Sequence, residues 1–123
     1  DLENDISMET EAAFSNLAEA TNDKPWVVLS SGMGKKSFYK CLELAYKNGA
    51  SGYLAGRTIW LDAFKNYPNI NNVDKGLKTE SVNYINKLND LTSRNAYSLD
   101  TYFANGFKIK EPENFTKDFG GFK

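Results

Sequence analysis

The sequence predicts an α/β fold built on a parallel βαβ unit, and three observations carry that prediction. Two short apolar runs, Trp26-Val27-Val28-Leu29 and Ala50-Ser51-Gly52-Tyr53-Leu54-Ala55, each stop abruptly at a glycine turn. A stretch with helical spacing lies between them, and another follows the second run. Two strands separated by a helix of this length form a parallel pair, because a parallel connection must cross over the sheet. A continuous apolar run also predicts a strand buried on both faces, as in parallel sheets covered by helices.

The elements follow in order. Residues 5–20 carry Ile6, Met8, Ala12, Ala13, Phe14, Leu17 and Ala20, the later ones at the spacing of an amphipathic helix. Pro25 ends that helix, since the residue before proline is pushed out of the α region. After the strand at residues 26–29, residues 35–47 place Phe38, Cys41, Leu42 and Ala45 on one stripe with lysines opposite. Asn48-Gly49 supplies a glycine C-cap before the second strand, residues 50–55. A helix over residues 58–67 is stopped by Pro68, and residues 69–74 read as a loop. Val82, Ile85, Leu88 and Leu91 recur every three residues within a helix at 78–94. A last helix starts near Leu99, followed by an extended tail that packs through its aromatic rings.

Composition narrows the function classes. With 123 residues, 41% hydrophobic, the chain reads as globular. Fifteen basic against sixteen acidic residues leave a formal charge of -1, which gives no electrostatic reason for a nucleic-acid or membrane-surface partner. No apolar run approaches the ~20 residues that span a bilayer. The single Cys41 cannot form an internal disulfide, so a reduced, cytoplasmic compartment is expected, with Cys41 a small buried hydrophobe. Histidine is absent, which removes the usual metal-ligand spacings and the base of a nucleophilic triad. The chain begins Asp1-Leu2-Glu3 in acidic, helix-like sequence, compatible with a fragment.

Chemistry concentrates at the two strand ends. Ser30-Ser31-Gly32-Met33-Gly34 lies between a strand and a helix, where glycines let backbone N–H groups approach an anion and the helix start adds positive potential. Arg57 follows Gly56 at the end of the next strand, and its guanidinium suits a phosphate. Parallel neighbours lie ~4.8 Å apart, so both turns can serve one ligand. The bland alternatives are a plain tight turn for Ser31-Gly32 and a surface salt bridge from Arg57 to Asp62. Taken together, the turns match the phosphate site that barrel enzymes form after their seventh and eighth strands. Lys35 and Lys36 read as a solvated charged face, and Trp26 and Trp60 as core. Two strands alone do not make a self-sufficient parallel sheet, so further strands or a second copy must complete it.

These same residues, from Pro25 to Gly32 and from Gly49 to Trp60, resemble the class I aldolases typified by tagatose 1,6-diphosphate aldolase, with 6-deoxy-6-sulfofructose-1-phosphate aldolase a close relative. The resemblance covers about residues 9–67. It implies the last two βα units of a (β/α)₈ TIM barrel at residues 1–67, with a C-terminal helical extension and tail at 68–123. It further implies metal-free cleavage of a phosphorylated ketose through a lysine Schiff base, with that lysine upstream of Asp1. By the same resemblance Ser30, Ser31, Gly32, Gly56 and Arg57 hold the substrate phosphate, and no cofactor is implied. Partners are then a phosphorylated sugar and either a homo-oligomer or the remainder of the barrel. A non-catalytic phosphate-binding or oligomerising module, and another phosphate-binding barrel enzyme such as an isomerase or synthase, remain open alternatives.

Overall fold

The computed structural model describes residues 8–22, 24–103 and 105–106. The order is α1 (Met8–Thr21), β1 (Val27–Leu29), α2 (Lys35–Lys47), β2 (Gly52–Leu54), α3 (Arg57–Phe64) and α4 (Ile70–Gly76). A π-helical turn (Leu77–Ser81) leads into α5 (Val82–Asn95), and α6 (Leu99–Tyr102) follows. The fold is mixed α/β, mostly helical, with one small parallel sheet. The aromatics Phe107, Phe115, Phe119 and Phe122, expected to pack as a tail, lie outside the described residues.

β1 and β2 pair in parallel with Val27 opposite Gly52, Val28 opposite Tyr53 and Leu29 opposite Leu54. This register ends both strands at the same height, so the Ser30 and Ala55 turns begin side by side. The Ser30 N–H adds one more ladder bond to the Leu54 carbonyl at 3.0 Å.

α2 occupies the predicted residues because its stripe is long enough to face two layers. Phe38, Leu42 and Ala45 are fully buried, between Val28 of β1 and Tyr84, Leu88 and Leu91 of α5. The glycine C-cap also forms: Gly49 takes φ +88, the left-handed conformation that favours glycine. Hydroxyl bonds bind α5 to the rest, among them one between Tyr46 and Thr92 at 2.7 Å. Tyr84 donates to the Lys35 carbonyl at 2.8 Å, and Tyr53 donates to Asn89 Oδ1 at 2.8 Å.

Three expectations need correction. The strands are not buried on both faces: Val28 is 8% exposed, but Val27, Leu29 and Leu54 are 44%, 59% and 60% exposed. α2 and α5 both pack on the Val28 and Tyr53 side, leaving the opposite face uncovered among the described residues. Residues 69–74 are not a loop, because α4 starts at Ile70. Asn69 caps it, its side chain accepting from the Asn72 N–H at 3.1 Å, and Val73 is buried. Gly76 completes the packing: a Cβ there would lie 3.0 Å from that of Ala63, so any side chain would push α4 and α3 apart by a few tenths of an ångström. The third correction is Trp60, which is 38% exposed rather than core, its ring edge-on to Phe64.

Candidate functional site

The two strand-end turns differ in how they are built. In the first, the Met33 N–H donates to the Ser30 carbonyl at 2.8 Å, closing a four-residue turn. Its central residues, Ser31 and Gly32, have φ +48 and +80. Two successive positive φ values define a type I′ turn. Glycine accommodates this readily, while serine pays roughly 1–2 kcal/mol for the left-handed region. Neither Ser31 nor Gly32 donates a backbone hydrogen bond among the described residues.

The second turn delivers Arg57 as the first residue of α3, with Gly56 as its N-cap. The Arg57 guanidinium returns across the sheet onto the first turn. A Cβ built on Gly32 would lie 3.5 Å from Arg57 Nη2 and 3.6 Å from its Cζ, an ordinary van der Waals contact with the guanidinium plane. Thr58, the next residue, donates its hydroxyl to the Met33 carbonyl at 2.8 Å. Residues 25 positions apart in sequence are thus brought into contact at the strand ends.

The turns enclose a shallow, open depression of about 420 Å³. Ser30, Ser31, Gly32, Gly56 and Arg57 all line it, together with Leu29, Leu54, Ala55 and Trp60. Among the described residues Arg57 is its only charged lining group, and no carboxylate of theirs lines it. Ser30 is 5% exposed and forms the back wall; the other four predicted residues are exposed at the rim.

The helix starts add to this polarity. α2 and α3 begin at glycine N-caps without a side-chain cap and without an acidic residue in the first turn. By contrast α4 and α6 carry the capping side chains Asn69 and Ser98. An uncapped helix start leaves N–H groups and the positive end of the helix dipole available to an anion. The arrangement can therefore offer a guanidinium, a serine hydroxyl and backbone N–H donors to one anionic group.

Comparison with known proteins follows the same direction. No protein-family model matches the chain. It is 32% identical over 99 residues to tagatose 1,6-diphosphate aldolase 2 of Streptococcus agalactiae serotype III, covering 73% of this chain and 28% of that protein. The enzyme of the same name from Streptococcus pyogenes serotype M1 is 32% identical over 87 residues, covering 63% and 25% respectively. These matches support an aldolase-family relationship. The chain spans about a quarter of the length of these aldolases.

The charged residues near the two turns sort cleanly. Arg57 forms no ion pair among the described residues, so the proposed bridge to Asp62 is absent. Asp62 instead binds Lys65 at 2.7 Å and Lys35 at 3.2 Å, and hydrogen bonds from these two lysines hold its carboxyl below the usual range. Lys35 also sits over the Tyr84 ring, 5.7 Å from its centre. Lys35 and Lys36 line a separate cleft of about 610 Å³ between α2 and α5, with Tyr39, Lys40, Glu43, Tyr84 and Lys87. Cys41 is half-buried against the hydrophobic core rather than wholly inside it, and burial pushes its thiol up.

The lining residue Trp60 and its buried neighbour Thr58 are not singled out as site residues by the sequence. Trp60 stands three residues beyond Arg57 on α3, the spacing that puts side chains on one helix face, so that signal was present. Thr58 gave none, because its role depends on the neighbouring turn. Among the described residues no cluster of three or more His, Cys, Asp or Glu has metal-binding geometry, and no helix is long and apolar enough to cross a membrane.

Proposed function

We propose that this chain is the closing part of a (β/α)₈ aldolase barrel, and that its two strand-end turns hold the phosphate of a phosphorylated ketose. The observation that carries this reading is the Arg57 guanidinium lying against Gly32 over an acid-free depression. The partial likeness to tagatose 1,6-diphosphate aldolase 2 supports the choice of substrate class. Ser31, Gly32 and the start of α3 would supply N–H donors, Ser30 a hydroxyl, and Arg57 a charge-assisted pair. Binding energy from a phosphate remote from the reacting carbons can be spent on positioning them in the transition state.

The Schiff-base lysine is assigned to sequence outside these 123 residues. Supporting this, none of the residues lining the depression is a lysine, and Lys35 and Lys36 line the α2–α5 cleft instead. The uncovered Val27, Leu29 and Leu54 face would meet the interior of the remaining barrel. Sugar phosphate cleavage in a reduced cytoplasm, without a metal or cofactor, completes the reading. The sulfofructose phosphate is the alternative sugar of the same class.

Borohydride reduction with dihydroxyacetone phosphate tests the division of roles. The chain should take up no label, whereas a longer protein containing it should be labelled on a lysine outside these residues and cleave tagatose 1,6-bisphosphate or the sulfofructose phosphate. Labelling of Lys24, Lys35 or Lys36 would overturn it.

A further inference from the structure

We propose that Thr58 is a positioning residue, whose buried hydroxyl locks the glycine turn to the arginine that shares the depression with it. The proposal rests on the phosphate reading above, but its geometry is independent of any ligand.

Three polar side chains are buried among the described residues: Ser30 at 5%, Thr58 at 7% and Ser81 at 6% exposed. All three gather at or behind the two turns. Thr58 Oγ1 donates to the Met33 carbonyl at 2.8 Å, and Ser81 Oγ donates to the Ile59 carbonyl at 2.8 Å. The first bond ties α3 to the glycine turn, and the second fastens α3 from behind to the π-helical turn. Arg57 therefore enters from a helix start held on two sides by buried hydroxyls.

The Met33 carbonyl lies outside every helix and strand and accepts no backbone hydrogen bond among the described residues. Without the Thr58 hydroxyl this partly buried carbonyl would face a methyl, and losing its partner there favours a shift of the turn. Threonine suits this task because β-branching restricts χ1, so the hydroxyl is held in place before the bond forms. The Arg57 guanidinium lies over the Gly32 α-carbon, 3.5 Å from where a Cβ would stand, so a shift of either turn changes the spacing of the groups meant for one anion.

The test uses the complete chain and reads the clamp apart from the ligand. In the wild type, NMR should show a slowly exchanging Thr58 hydroxyl proton and a close contact between the Gly32 α-protons and the Arg57 side chain. Thr58→Val should abolish that contact while α2 and α5 signals persist, and weaken inorganic phosphate binding about 3- to 10-fold, the worth of one ordinary hydrogen bond. Thr58→Ser, which keeps the hydroxyl, should restore both. A folded Thr58→Val chain with the Gly32–Arg57 contact intact overturns the proposal, as does a freely exchanging hydroxyl in the wild type, which needs no variant. If wild type binds no phosphate, the phosphate reading fails, and the contact still decides the clamp.

Discussion

Gly32 and Arg57 bear on each other so directly that either can be tested through the other. Gly32 has φ +80, and a side chain there would meet the guanidinium at ordinary contact distance. Gly32→Ala should cost about 1–2 kcal/mol in a urea melt from backbone strain alone. It should also weaken phosphate binding by straining the turn beneath Arg57. Arg57→Ala should leave the melt unchanged, since the side chain is exposed and forms no ion pair among the described residues, yet weaken phosphate binding by about 1.5–3 kcal/mol in calorimetry. The five residues of this site were legible in the sequence because glycines mark turns and a strand end fixes where the next side chain appears. Thr58 and the exposure of Trp60 were not, because both depend on contacts 25 and 4 residues away.

Individual elements are governed by caps and buried faces. α2 could be read to its ends because its apolar stripe and its glycine C-cap agree. α4 could not, since Asn69, Asn71 and Asn72 are poor helix formers and tertiary packing of Val73 and Gly76 against α3 overrides them. Asn69→Ala should therefore cost about 0.5–2 kcal/mol, the usual worth of such a cap, measured by thermal or urea unfolding. The α2–α5 contact carries a pH signature. Burial, with a smaller contribution from Tyr53, pushes the Tyr84 hydroxyl up to about 12. Its unfolded value is near 10, so folding favours the protonated phenol. Its contribution is whole below pH ~10 and is lost as pH rises through about 12. The urea midpoint should fall between those limits, and Tyr84→Phe should lower it at neutral pH while making that fall shallower.

At the scale of the molecule, the described residues cover one side of the sheet. Val28 and Tyr53 face α2 and α5, while Val27, Leu29 and Leu54 present an apolar face that no described residue covers. Such patches mark association surfaces. Under the barrel reading, that face belongs against further strands, so the chain by itself should bind a hydrophobic dye and associate with rising concentration. Val27→Lys should reduce both without lowering the unfolding midpoint by more than about 1 kcal/mol. Sedimentation showing a monomer at every concentration, with no dye bound, would count against a covered face. The parallel βαβ unit was legible because periodicity and turns agreed. One-sided burial was not, since a short apolar run reads alike whether one face or both are covered. What unites the three scales is the claim that two turns, set level by strand register, hold one phosphate. The most direct measurement is an amide NMR titration of this chain with dihydroxyacetone phosphate. Ser31, Gly32, Arg57 and Thr58 should shift together along one saturable curve that Arg57→Ala abolishes; shifts confined to Lys36, Lys40 and Lys87 in the α2–α5 cleft would contradict the account.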